Sequence, residues 1–233
     1  MTVVAAVFAR GGSKGVVDKN LRLLAGRPLV THAVEQACAC PTVDRVIVST
    51  DSPEIASIAA AAGAEVPWLR PEELSTDTAR EWDAWRHLLD WLDERDETPE
   101  LLLVVPCTAP LRSVDDLERC LDAAADPDVD VVITVTEAHR NPWFNMVTVD
   151  DTGRAQLVNE PPQRIHRRQD APPVHDVGTV AFVARPAYVK SATSLYDGEV
   201  RAVEVPRDRS LDIDTEVDLA FAEFLLARRD GHG

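Results

Sequence analysis

The stretch VVAAVFARGGSKGVVDKN, residues 3–20, decides the fold class and locates the first candidate site. Val3–Phe8 is a continuous apolar run, which is typical of a strand buried on both faces of a parallel sheet. The loop after it combines glycines with Arg10, Lys14 and Lys19 in a chain whose formal net charge is −16. Ligands of α/β sheets bind beyond the carboxyl ends of the strands, where glycine lets backbone N–H groups approach phosphate oxygens. The stretch therefore predicts either a phosphate-binding loop or an ordinary tight turn with solvated lysines, and composition alone favours neither.

Strand and helix patterns alternate along most of the remaining chain. Apolar runs predict further strands at 45–49, 65–69, 101–105, 129–135 and 177–183, and helical periodicity predicts helices at 27–39, 53–62, 78–94, 114–124 and 218–228. This alternation predicts an α/β fold of Rossmann-like type, a mostly parallel sheet with helices on both faces. Residues 137–176 break the pattern with five prolines. We therefore expect a main domain formed by 1–136 and 177–233, with 137–176 inserted as an arm or lid.

Composition and charge exclude several classes of function. The strong negative charge argues against broad binding to nucleic acids or to anionic membranes. No apolar run reaches the length of a membrane span, and the N-terminus resembles a first strand more than a signal peptide. The four cysteines include no CxxC pair, so we expect them to be buried in a reducing compartment. These features favour a cytoplasmic protein.

A second candidate site lies in LDIDTEVDL, residues 211–219. In an extended segment, the spacing of Asp212 and Asp214 puts both carboxylates on one side. Two such carboxylates beside phosphates suit Mg²⁺, which prefers oxygen ligands and commonly bridges to a nucleotide. The alternative is a solvated acidic turn in which Asp214 or Thr215 caps the following helix.

Three other strand ends or loops carry polar groups. Asp51 lies where the strand at 45–49 meets the following loop, and there it either faces a nucleotide or joins Ser52 in capping the next helix. Arg112 follows the strand at 101–105, and the basic pair Arg167 and Arg168 lies in the irregular segment, where it either recognises an anionic group or pairs with surface carboxylates. Cys107 has no general base nearby in sequence, and the chain has no GxSxG nucleophile elbow.

Taken in order, these stretches resemble the acylneuraminate cytidylyltransferases, the CMP-sugar-acid synthetases. ARGGSKGVVDKN fits the family signature A-R-x-G-S-K-G-x-x-x-K-N. Weaker matches follow in the same order and spacing along most of the chain. They are Gly26–Leu29, Val48–Asp51, Leu69–Pro71, Leu74–Thr78, Thr108 with Pro110–Arg112, Arg168–Asp170 with Gly178, and Asp212–Thr215.

The resemblance implies transfer of CMP from CTP to an acidic acceptor, with Mg²⁺ as cofactor and a homodimer formed through the arm. The residues implied to bind the nucleotide are Ala9, Arg10, Gly12, Ser13, Lys14, Lys19, Asn20, Arg70, Ser75, Asp77 and Thr108. Those implied to act catalytically are Arg10, Lys14, Lys19 and Asp214, and the metal ligands are Asp212 and Asp214. The residues expected to contact the acceptor are Arg112, Arg167, Arg168, Gln169 and His175.

The chain departs from the family on the acceptor side. Pro106-Cys107-Thr108 stands where the family has Q-P-T, and His175 stands in place of a tyrosine. We therefore expect an acceptor other than the usual nine-carbon sugar acid, a small phosphonate or another acidic sugar. A standard CMP-sialate or CMP-octulosonate synthetase is the alternative. A non-catalytic nucleotide-binding module is the alternative of another class, and a nucleotidyltransferase for neutral or phosphorylated sugars ranks below both.

Overall fold

The computed structural model describes residues 1–12, 16–160, 163 and 165–230 of the 233-residue chain. The strands within these residues are β1 (Val3–Phe8), β2 (Leu23–Leu24), β3 (Arg27–Pro28), β4 (Arg45–Ser49), β5 (Leu101–Val104), β6 (Val131–Glu137), β7 (Val147–Val149), β8 (Ala155–Leu157), β9 (His175–Ala184) and β10 (Val200–Glu204). The α-helices are α1 (Leu29–Cys38), α2 (Pro53–Ala61), α3 (Glu81–Asp93), α4 (Val114–Ala124), α5 (Pro186–Ser191) and α6 (Glu216–Asp230).

Six strands form the central sheet in the order β10-β6-β9-β5-β1-β4. β1 is parallel to both β4 and β5, and β10 is parallel to β6. β9 runs antiparallel to β5 and β6, so it joins two parallel parts into one mostly parallel sheet. The predicted fold class is confirmed.

The helices cover both faces of the sheet, as the alternation of side chains along a strand requires. Val3, Ala5 and Val7 point into one core with α1, α2, α4 and α6. Val4 and Ala6 point into the other core, which α3 and α5 cover with two tryptophans and several leucines. The predicted apolar stripe of α3, formed by Trp82, Trp85, Leu88, Leu89 and Leu92, is buried in this second core.

Sequence patterns misplaced some elements. The segment Glu65–Leu69 was predicted as a strand, but it forms only two isolated bridges, from Glu65 to Ile47 of β4 and from Leu69 to Thr50. Pro67 lies within the segment and cannot donate a ladder hydrogen bond. The helix predicted from residue 78 begins at Glu81. β10, α5 and the short β2–β3 pair were not predicted. Cys38 is exposed, whereas the other three cysteines are buried as expected.

Between β6 and β9 the chain leaves the sheet. β7 and β8 pair there as an antiparallel hairpin, and the residues of both strands are exposed. Within the described residues, no helix is both long enough and apolar enough to cross a bilayer.

Candidate active site

A cleft of about 530 Å³ opens at the carboxyl ends of β1 and β5. Its lining includes Phe8, Arg10, Lys19, Asn20, Arg70, Leu74, Asp77, Ala79, Glu81, Thr108, Thr179, Phe182 and Asp214. This is the edge at which ligands of open α/β sheets bind. The structure thus brings together predicted residues from opposite ends of the chain, such as Arg10 and Asp214.

The loop after β1 is held by polar contacts from two directions. The N–H of Gly11 donates to Oδ1 of Asp51 at 2.8 Å, and Nδ2 of Asn20 donates to the carbonyl of Arg10 at 2.9 Å. Gly12 has φ +64°, a conformation that favours glycine. Of the predicted loop residues, Ser13 and Lys14 lie outside the described residues. Asp51 therefore supports the loop, while Ser52 caps α2 by accepting from the N–H of Ile55.

Two cationic groups of the cleft are paired with carboxylates. Arg10 donates to Oδ1 of Asp77 at 2.6 Å, and Nζ of Lys19 donates to Oδ1 of Asp214 at 2.9 Å. Ala9 is buried, and its N–H donates to the carbonyl of Ser49 at 3.1 Å, so it extends the sheet and does not line the cleft. Ser75 donates to the carbonyl of Pro71 at 3.0 Å and closes the turn before Asp77.

Asp212 and Asp214 approach each other at the sheet edge, and α6 begins just after them. The pKa of Asp212 is raised, chiefly by burial and also by the neighbouring charge of Asp214, although the nearby Thr108 and Thr179 hydroxyls and the charge of Lys19 act to lower it. Oδ1 of Asp212 is buried without a hydrogen-bond partner. Thr215, not Asp214, caps α6, since its Oγ1 accepts from the N–H of Asp218 at 3.3 Å. Asp214 is thus left to face the cleft.

This pair fits the chemistry of a magnesium site. A buried carboxylate oxygen without a donor gains most from a cation, and Mg²⁺ is commonly held by one or two carboxylates plus phosphate oxygens and water. Nowhere in the described part of the chain do three or more His, Cys, Asp or Glu side chains form a metal-binding group. The remaining ligands would therefore have to come from a bound nucleotide and water.

The opposite wall of the cleft holds a buried arginine. Arg70 is only 7% exposed, and its Nε and Nη2 have no hydrogen-bond partner. Burial lowers its pKa, while the charges of Asp51 and Glu81 raise it. Glu81, the first residue of α3, also lines the cleft. Sequence reasoning did not select Glu81, because an acidic residue at a helix N-terminus is commonplace.

Two residues of the 106–112 turn are buried. Burial raises the pKa of the Cys107 thiol to about 12, which excludes a thiolate nucleophile at neutral pH. Arg112 is buried and donates to Oε1 of Gln36 at 3.0 Å and to the carbonyl of Pro106. Because the guanidinium fixes this turn and does not line the cleft, the geometry gives no support to the prediction that Arg112 binds the acceptor.

The other predicted acceptor residues lie at the base of the arm. Arg168, Gln169 and His175 line a separate cavity of about 590 Å³ between β9 and the segment after β6. Arg167 is exposed and pairs with Asp170 at 2.8 Å. Within one described chain, these residues and the cleft do not form a common site.

Comparisons with known proteins place these observations in context. A family model described as Cytidylyltransferase matches residues 4–219. The CMP-N,N'-diacetyllegionaminic acid synthases of Campylobacter jejuni and Legionella pneumophila are each 29% identical to this chain. The alignment with the first covers 98% of this chain and 96% of the relative, and the alignment with the second covers 97% of both. The N-acylneuraminate cytidylyltransferase of Streptococcus agalactiae is 30% identical over 94% of this chain and 52% of its own length.

A solved structure shares the fold. The CMP:2-keto-3-deoxy-manno-octonic acid synthetase, complexed with CTP, has a TM-score of 0.73 to this chain at 19% identity, covering 98% of this chain and 100% of that one. At this identity the likeness concerns the fold alone.

Proposed function

This chain belongs to the cytidylyltransferase family that includes the acylneuraminate enzymes, and we propose that it transfers CMP from CTP to a sugar acid and releases pyrophosphate. The observation that carries the proposal is the convergence, in one cleft, of Lys19, Asp214 and the loop after β1. Both substrates are anionic, and Arg10, Lys19 and Arg70 line this cleft in an otherwise acidic chain.

The acceptor is the point at which our first expectation changes. The sequence suggested a small phosphonate or another acidic sugar, whereas the relatives by name use legionaminic and acylneuraminic acids, so the phosphonate has no support. The alternative, a CMP-sugar-acid synthetase, therefore has the better support. The Thr108 and Thr179 hydroxyls and the Phe182 ring offer polar and apolar surface for such a molecule on the β5–β9 side of the cleft.

In this reaction a hydroxyl oxygen of the acceptor attacks the α-phosphorus of CTP. The new O–P bond forms as the bond from the α-phosphorus to the α,β-bridging oxygen breaks, pyrophosphate leaves with the electron pair, and the hydroxyl proton passes to solvent. Lys19 and Arg10 would donate to phosphate oxygens, exchanging their present carboxylate partners for the ligand. Asn20 would keep the loop in register through its bond to the Arg10 carbonyl.

We assign the cofactor Mg²⁺ to Asp212 and Asp214 on the fit described above. When bound, the cation would neutralise phosphate charge. The nearby Thr108 and Thr179 hydroxyls favour the charged form of the Asp212 carboxylate. The binding-module alternative has no use for a buried carboxylate oxygen that lacks a donor.

A homodimer formed through the arm completes the proposal. Val147 and Val149 on β7 are 53% and 63% exposed, and Met146, Leu157 and Val158 are exposed beside them. Exposed apolar side chains on a two-stranded hairpin favour burial against a partner, because such a hairpin is only marginally stable alone. A partner's arm would bring cationic side chains such as Arg168 toward the cleft.

Pyrophosphate release tests the function. Purified protein is mixed with CTP, Mg²⁺ and, in turn, N-acetylneuraminate, N,N'-diacetyllegionaminate, an octulosonic acid and a small phosphonate. We expect release with one of the sugar acids, a CMP conjugate by mass spectrometry, and loss of both with EDTA. CTP binding without release for every acceptor would instead favour the binding module, and turnover with the phosphonate alone would restore the first expectation.

A further inference from the structure

The helix α6 is apolar on two sides. Its inward side, which includes Leu219 and Ala222, is buried in the same core as α1. A second side carries Val217, Phe221 and Phe224, whose exposed fractions are 76%, 49% and 54%. The two phenylalanine rings stack on each other with a centroid distance of 6.3 Å. A helix at the surface of a domain needs only one apolar side to hold it to the sheet, so the second side is available to a partner.

The exposed residues have the spacing of a helix-pairing seam. Intervals of four, three and four residues, which are those of the a and d positions of a coiled coil, separate the members of this row. We call the row the outer seam, and it consists of Val217, Phe221, Phe224 and Arg228. Arg228 is exposed, and its Cζ lies 5.8 Å from the centroid of the Phe224 ring. Because side chains at these intervals share one side of a helix, a second helix can cover the whole row.

The charges at the two ends of α6 indicate which helix fits. Its first turn carries Glu216 and Asp218, and its last turn carries Arg228 and Arg229. A second α6 laid antiparallel would bring the basic end of each copy beside the acidic end of the other. A parallel copy would instead place like charges side by side. The outer seam is thus complementary to itself in the antiparallel direction.

We propose that α6 is a self-association surface, on which the outer seams of two copies pair antiparallel about a two-fold axis midway between Phe221 and Phe224. In this register Phe221 of each copy packs against Phe224 of the other. Val217 lies opposite Arg228, so the guanidinium meets the acidic first turn of the second helix. Such an isologous contact uses the same surface of both copies. The inference does not depend on the proposed function, because the pairing involves neither CTP nor an acceptor.

The exposed area predicts a weak contact. A phenylalanine side chain offers about 150–250 Å², so the two half-exposed rings and Val217 present roughly 300 Å² per copy, and a pair would bury roughly 600 Å². Stable complexes bury at least about 1,200 Å². We therefore expect pairing through α6 to depend on concentration and to add to a stronger contact such as that of the arm.

Sedimentation velocity of the full chain between about 10 µM and 1 mM measures the pairing. The weight-average mass of the wild type should rise toward twice its value at the lowest concentration. The double variant Phe221→Glu, Phe224→Glu places two charges in each seam and should abolish the rise. The control is Leu69→Glu, Tyr196→Glu, which makes the same charge change at side chains that are 51% and 60% exposed outside α6, and it should keep the rise. A constant wild-type mass, or a rise that persists in the seam variant, overturns the proposal.

Disulfide formation tests the register. Cys38 is the exposed cysteine of the four, so the proteins carry Cys38→Ser. The antiparallel register puts residue 217 opposite residue 228, whereas each of these residues lies about 16 Å along the axis from its own counterpart, which is too far for a disulfide. A mixture of Val217→Cys and Arg228→Cys proteins should therefore form a mixed disulfide under mild oxidation, and neither protein should form one alone. Disulfides within each variant alone would show parallel pairing and overturn the proposal, as would the absence of the mixed disulfide.

Discussion

Replacing Asp116 by alanine should destabilise the protein and loosen the segment that carries the two metal-site aspartates. Asp116 is 0% exposed at the start of α4, where it completes a capping box with Ser113. Its two carboxylate oxygens also accept from Nε and Nη2 of Arg209, at 2.8 and 3.0 Å. Arg209 lies three residues before Asp212, so this ion pair ties α4 to the sheet edge that carries the candidate magnesium site.

The expected decrease in the free energy of unfolding follows from the interactions that each partner loses. Breaking a buried ion pair by removing one partner costs about 3–5 kcal/mol, and losing a cap costs about 1 kcal/mol. The Arg209 side chain is 28% exposed, so water can solvate it once Asp116 is gone. We therefore expect the low end, about 3 kcal/mol for Asp116→Ala, or a fall in Tm of about 6–12 °C for a chain of this length. Arg209→Ala should cost about 2 kcal/mol, because Ser113 still satisfies part of the carboxylate.

The pair should also give stability a defined pH dependence. Burial alone would raise the pKa of Asp116, but the bonds from Arg209 and Ser113 outweigh it and leave the pKa below its usual value. A carboxyl group whose pKa is lowered in the folded state stabilises the protein fully at pH values above its unfolded pKa of about 3.9. This stabilisation is lost as the pH falls through the pKa of the folded state. The stability difference between wild type and Asp116→Asn should thus be constant near neutral pH and shrink below about pH 4.

Urea unfolding followed by tryptophan fluorescence measures these free energies, with Asp116→Ala, Arg209→Ala and the double variant forming a cycle. The coupling energy should be about 1–2 kcal/mol. Asp115→Ala, the exposed neighbour in the same helical turn, is the control and should cost only about 0.5 kcal/mol. A loss below about 1 kcal/mol for Asp116→Ala, or no coupling in the cycle, would refute the reasoning.

Three further perturbations test other parts of the molecule. Asp212→Asn should reduce Mg²⁺-dependent pyrophosphate release at least about a hundredfold. The free energy of unfolding should stay equal or rise, because the substitution removes a buried charge. Unchanged activity would contradict the metal assignment. Lysine at both Val147 and Val149 should convert a dimer to a monomer in light-scattering chromatography, and a persisting dimer would exclude the β7 face. Gly63→Ala should cost about 1–2 kcal/mol by urea unfolding, because Gly63 has φ +106°, a backbone conformation that is strained for any residue with a Cβ; a neutral result would show that the turn relaxes.

Much of the framework was predictable from local pattern. β1 and β4 have the bounds that their apolar runs indicate, and α4 begins where Ser113 offers a cap. Such elements follow from neighbouring residues alone, through side-chain periodicity and capping. Glu65–Leu69 fails for an equally local reason, the proline within it. β9 differs, because its antiparallel direction depends on how residues 138–174 connect it to β6, and no short sequence pattern contains that information.

The sequence by itself determined that this is an α/β protein with a cationic glycine loop and an Asp212-x-Asp214 pair, because each of those signals lies within a few adjacent residues. Only the tertiary structure decided which side chains share the cleft. In the folded chain, Asp51 accepts a hydrogen bond from the loop after β1, and Arg112 is buried within a turn. Glu81 and Arg70 line the same cleft, together with Phe8. Burial and hydrogen-bond satisfaction are properties of contacts between distant segments, so packing determines whether a charged residue supports the fold or meets a ligand.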